Sequence, residues 1–149
     1  MKNIIKLPFA ILIFLFLETP FAFSQESINW SYLADVTFEE KFSEDLGYKL
    51  HHATFGNMVS EYEGKEIEIS GYMIPMDPMG ITYVLSKNPN SSCFFCGGAG
   101  PETVLELELK ASAIRRYEVD DLKTFRGVLI MNKVNDKQLT YVLKEAEPR

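Results

Sequence analysis

The sequence predicts one small, mainly β domain built as a closed barrel. Segments after residue 65 alternate apolar and polar side chains with a period of two. Glycines fall inside the first and fourth of these segments, at Gly71 and Gly127, where barrel strands bend tightly or approach a neighbour closely. The longest gap, residues 111–124, separates the third segment from the fourth. Five strands in that order predict an OB-like Greek-key barrel with a short helical N-terminal segment. Another small barrel or a two-sheet sandwich is the competing architecture.

In chain order, KEIEISGYMI (65–74) places Ile67, Ile69, Gly71 and Met73 on one face and Glu66, Glu68, Ser70 and Tyr72 on the other. The run Pro75-Met76-Asp77-Pro78-Met79-Gly80 stops this strand, because proline lacks the N–H a ladder needs. ITYVLSK (81–87) is a second strand, rich in β-branched and aromatic residues. TVLELELK (103–110) is the third, with Leu105, Leu107 and Leu109 inward. Residues 111–124 fit a short connecting helix or loop. FRGVLIMNKV (125–134) and LTYVLKEAE (139–147) complete the set, with Asn135-Asp136 as a hairpin-turn candidate.

Upstream, residues 25–62 carry Trp30, Tyr32, Phe38, Phe42 and Phe55 without period-2 alternation. They predict short helical or irregular segments that lay aromatic side chains onto the barrel. A helix through ATFGNMVSEY should stop at Gly64. The first 24 residues read as a cleaved secretory signal: Lys2 and Lys6, an apolar run from Leu7 to Leu17, Pro20, then Ala22-Phe23-Ser24. That run is shorter than the ~20 residues needed to span a bilayer, so no membrane span is expected after processing. The domain plan is therefore signal 1–24, aromatic segment 25–62 and barrel 63–149, in a periplasmic or secreted protein.

The formal charge of −6 becomes one unit more negative once Lys2, Lys6 and Glu18 are removed. An acidic domain of this kind argues against nucleic acid as a partner, since phosphates are neutralised by Lys and Arg. No G-x-S-x-G, H-E-x-x-H or phosphate loop occurs. Glu61, Glu63, Glu66, Glu68, Asp120 and Asp121 read as solvated faces, and Arg115 and Arg116 as surface residues. An enzyme is not expected, and a thiol oxidoreductase is the one enzyme class the residues raise.

Both cysteines lie in SSCFFCGGAGP (91–101), where Asn90-Ser91-Ser92 also fits a glycosylation triplet. Three chemistries compete for Cys93 and Cys96. In an oxidising compartment the pair forms a disulfide by default, shaping a loop around Phe94 and Phe95 with Gly97, Gly98 and Pro101 at its exit. As a C-x-x-C-G knuckle it supplies two of the four thiolate or imidazole ligands of a zinc site, leaving His51, His52 or a homodimer partner to complete the set. Met73, Met76 and Met79 would add thioethers suited to Cu(I), although core and turn filling is the better account of them. Redox catalysis needs a thiolate stabilised by a cation or helix N-terminus, and the nearest basic residue in sequence is Lys87.

The run EGKEIEISGYMIP (63–75), the cysteine-bearing loop with proline and VLELEL resemble an uncharacterised family of small exported bacterial proteins. Its members share a G-K-x-[VI]-x-I-x-G-[FY]-x-[VI]-P pattern and a cysteine loop about twenty residues on. The family is classed as a domain of unknown function, so the resemblance implies a fold and a compartment but no activity. The C-F-F-C-G-G spacing is this chain's own. The expectation is an envelope binding or accessory module, recognising an envelope protein or small ligand, with metal handling as the alternative.

Overall fold

The computed structural model describes residues 26–79, 82–134 and 137–149. Among the described residues, eight strands and two single-turn α-helices are formed: β1 (Glu26–Ser27), α1 (Trp30–Leu33), β2 (Val36–Ser43), β3 (Tyr48–Phe55), α2 (Asn57–Ser60), β4 (Glu66–Pro75), β5 (Tyr83–Ser86), β6 (Val104–Leu109), β7 (Leu122–Met131) and β8 (Tyr141–Pro148). The expected signal segment, residues 1–24, and the turn expected at Asn135-Asp136 lie outside the described residues.

Five strands close a barrel in the order β4-β5-β6-β8-β7, with β7 pairing back onto β4. All contacts around the ring are antiparallel except β6 with β8, which run parallel because the chain crosses over through residues 110–121. This is the OB-like order, and the five barrel strands are those the alternation predicts, shifted by a few residues at their ends. β4 is long enough to serve two neighbours: Glu66–Tyr72 pairs with β7, and Tyr72–Pro75 with β5. Of the side chains the alternation turns inward, Ile67, Ile69, Met73, Leu105 and Leu107 lie in one core cluster and Leu109 packs half-buried against it; Leu85, Phe125, Leu129 and Leu143 from the other three strands complete it. The interval 111–124 contains a 3-10 turn at Ala111–Ala113 and then irregular chain up to β7.

The N-terminal segment does lay aromatics on this barrel. Trp30, Tyr32 and Phe55 pack against the core, and the Trp30 indole N–H donates to the Ser70 carbonyl at 2.7 Å. Tyr32 meets Tyr62 edge-on at 5.4 Å, and Phe55 meets Tyr141 at 5.8 Å. The short helices expected there are α1 and α2, and Gly64 ends the turn after α2 with φ +71°.

Between the two helices the structure departs from the sequence reading. Residues 36–55 form an antiparallel hairpin, β2 with β3, rather than helical or irregular chain. The helical spacing of Trp30, Leu33, Phe38 and Phe42 holds only for its first turn. The hairpin lacks an alternating pattern because it stands off the barrel and neither face is wholly buried. Its turn, Glu44 to Gly47, is made by Gly47 at φ +73°, whose N–H bonds the Ser43 carbonyl at 2.9 Å. The hairpin's root is tied to the barrel by Ala53 N–H to the Lys133 carbonyl at 2.7 Å and a bridge between His52 and Val134.

Candidate functional site

The cysteine loop joins β5 to β6. The Lys87 N–H bonds the Thr103 carbonyl at 2.9 Å at its neck, just beyond the Ser86–Val104 pair. Three 3-10 turns follow one another within it, Asn90–Ser92, Phe94–Cys96 and Pro101–Thr103. The last begins at Pro101, whose missing N–H costs nothing at a helix start. Gly97 takes the left-handed conformation that ends the second turn (φ +75°). A side chain on Gly98 would lie 2.7 Å from the Ser92 carbonyl oxygen, so the chain can fold back on itself only with glycine there.

Cys93 is wholly buried and Cys96 is exposed; both are free thiols, close enough to hydrogen-bond each other. Cys96 Sγ also donates to the Asn90 carbonyl at 3.1 Å. The bond with Cys93, followed by desolvation, pushes the Cys96 thiol above its ordinary pKa. An activated nucleophile needs the opposite shift. The backbone N–H groups of Cys96 and Gly98 both donate to the Cys93 carbonyl, at 3.1 and 3.2 Å, and that of Gly97 to the Phe94 carbonyl at 3.0 Å. In a metal knuckle such donors would face the sulfurs.

His51 and His52 are on β3. His51 sits opposite Glu40 and meets Phe38 edge-on at 6.4 Å, while His52 sits opposite Glu39. Among the described residues no three His, Cys, Asp or Glu side chains converge on a common point, so the structure does not bring either histidine to the cysteines. The three methionines separate as well, with Met73 inside the barrel and Met76 and Met79 exposed.

Phe94 and Phe95 pack edge-on with centroids 5.3 Å apart. Phe94 is half-buried, whereas Phe95 keeps 43% of its surface in solvent. The loop is braced from outside by Asp120, which the sequence alone assigns to a solvated face. Its carboxylate accepts the Asn90 N–H at 2.7 Å, and its own N–H bonds the Met73 carbonyl at 3.0 Å. Asp120 adopts φ +64°, a conformation Asp tolerates better than most side chains. The Asp120-Asp121 pair before a strand was the only sequence signal for this turn.

Clefts also lie elsewhere among the described residues. One of about 580 Å³ separates the hairpin from the barrel and is lined by Phe55, Ser60, Glu63, Met131 and Lys133 among others. Another, of about 270 Å³, lies over β5 and β6, the face on which OB barrels usually bind ligands. Here that face is partly roofed: the Leu139 N–H bonds Glu106 at 3.2 Å and the Gln138 amide bonds Glu108 at 2.8 Å, above buried Val84 and Val142. Comparison of the chain with protein-family models, with curated proteins and with solved structures finds no match.

Proposed function

We propose that this protein is an exported binding module of the cell envelope rather than an enzyme, and that the Cys93–Cys96 loop presents its recognition surface. The observation that carries the reading is the loop's build. A solvent-facing Phe95 stands on half-buried Phe94 and buried Cys93, braced through Asp120, in a segment with few freedoms left to lose on binding. An aromatic held in this way is the type of anchor around which protein interfaces concentrate their affinity. The N-terminal charge and hydropathy pattern and the 63–75 resemblance support the exported compartment. There, oxidation of the neighbouring thiols to a disulfide would lock the Phe-Phe turn. Metal handling is the weaker reading, because the knuckle's N–H groups serve carbonyls and, among the described residues, no third ligand joins the two thiols.

The test places a photo-crosslinking amino acid at position 95 and, as a control, at exposed Leu122, in cells that export the protein. A discrete adduct from position 95 that is absent from position 122 supports the reading when Phe94→Ser removes it without unfolding the barrel. No adduct from 95, or the same adducts from both positions, would overturn it. A native mass spectrum of protein purified without reductant or chelator reads the thiols separately. A mass two hydrogens short with no added ion is expected, and an acid-labile metal would revive the alternative.

A further inference from the structure

The hairpin offers a second surface, independent of the cysteine loop. Among the described residues β2 pairs only with β3, leaving one edge of an eight-residue strand without ladder partners. Phe42, Leu46 and Tyr48, near its tip, are 64%, 48% and 50% exposed. An edge of this length is a template for another strand unless its side chains prevent pairing.

The side chains of β2 restrict what that strand can be. The segment Thr37-Phe38-Glu39-Glu40-Lys41-Phe42-Ser43 is chemically palindromic about Glu40: hydroxyl, aromatic, charge, Glu40, opposite charge, aromatic, hydroxyl. In an antiparallel pair, residues directly opposite share a face. A two-fold axis at Glu40 therefore sets Thr37 against the partner's Ser43, Phe38 against the partner's Phe42 and Glu39 against the partner's Lys41, each twice. Glu40 meets its own copy at the axis, each carboxylate already carrying Lys49 at 3.0 Å from across its own hairpin. Sliding by one residue pair in either direction loses this match. An axis at Lys41 opposes Lys41 to itself and Phe42 to Glu40, and an axis at Glu39 opposes Glu39 to itself and Phe38 to Glu40.

We propose that β2 is the dimerisation edge of this protein, and that two copies pair antiparallel about Glu40 to merge their hairpins into one four-stranded sheet. The interface is isologous and closes on itself, so it yields dimers and not fibres. It also covers Phe42 with the partner's Phe38, and aromatic cross-strand pairs of this kind stabilise sheets. Within one chain Lys41 contacts Glu39 at 3.3 Å, so the same two side chains are available to pair across the axis.

The test is a charge-reversal cycle read by sedimentation velocity and native mass spectrometry. The wild-type protein is expected to dimerise as its concentration rises. Lys41→Glu opposes Glu39 to the partner's introduced glutamate, and Glu39→Lys opposes Lys41 to the partner's introduced lysine, so each variant alone should be monomeric. An equimolar mixture of the two should form a heterodimer, and E39K/K41E in one chain should dimerise with itself. Circular dichroism identifies any variant that fails to fold, and the double variant retains the composition of the wild type. A wild-type protein that stays monomeric, or a mixture of folded variants that stays monomeric, would overturn the proposal.

Discussion

Gly71 and Gly127 occupy positions where neighbouring backbone leaves no room for a side chain. A Cβ on Gly71 would lie 2.6 Å from the Ser86 carbonyl oxygen, and one on Gly127 2.5 Å from that of Lys144. Both neighbours are ladder backbone and cannot swing aside. Gly71→Ala is therefore expected to destabilise the barrel by about 2–3 kcal/mol, checked by denaturant titration. The two thiols differ in access. In reduced protein Cys96 should alkylate under native conditions, at the slow rate of a thiol with a raised pKa, while buried Cys93 should wait for the loop to open. Mass spectrometry of partly alkylated protein separates the two, and equal labelling would contradict the buried placement of Cys93.

Asp35 links the pieces of the N-terminal segment. Its carboxylate accepts the N–H groups of Met58 and Val59 at 2.8 and 3.4 Å, capping α2, and its carbonyl accepts the Gly56 N–H at 2.8 Å. α2 is only one turn long and has no side-chain cap from its own first position, so Asp35 supplies the missing acceptor from the base of the hairpin. Asp35→Ala should cost about 1–2 kcal/mol, and Asp35→Asn, which keeps an acceptor oxygen, should cost less. Hydrogen exchange at Met58 and Val59 should accelerate in Asp35→Ala while the amides of β4 and β7 remain protected. Exchange that rises uniformly would mean that Asp35 supports the whole fold rather than this joint.

Barrel closure also has an electrostatic side. Arg126 on β7 bonds Glu147 on β8 and lies 3.8 Å from Glu66 on β4, while Lys110 after β6 reaches Glu147 at 3.0 Å. The Arg126 hydrogen bond, then that of Lys110, hold the Glu147 carboxyl below the usual carboxylate range. A carboxylate lowered by folding stabilises the native state above its unfolded pKa, about 4.3 for Glu. That contribution is lost as pH falls through the lower folded value. Thermal melts below pH 5 should show a steeper loss of stability for wild type than for Glu147→Gln. Matching slopes would place the acid sensitivity elsewhere. No helix among the described residues is long and apolar enough to cross a membrane.

What could be read from the chain was whatever local pattern specifies. The period-2 alternation of 66–74 and 104–109 is imposed by one buried face, and so it names both the strands and their inward side chains. Gly64, Gly97 and Pro101 likewise act through their own backbone conformations, which are properties of the residue and not of its surroundings. The hairpin was hidden because its faces are shared between solvent and barrel, leaving no alternation to find. The roles of Asp35 and Asp120 were hidden because a carboxylate on a solvated face and one accepting a distant N–H look alike in sequence. The same holds for His51 and His52, adjacent to each other yet assigned to the hairpin and away from Cys93 and Cys96. Where two segments meet depends on the closure of the barrel, a cooperative outcome of many long-range pairings that no short stretch encodes.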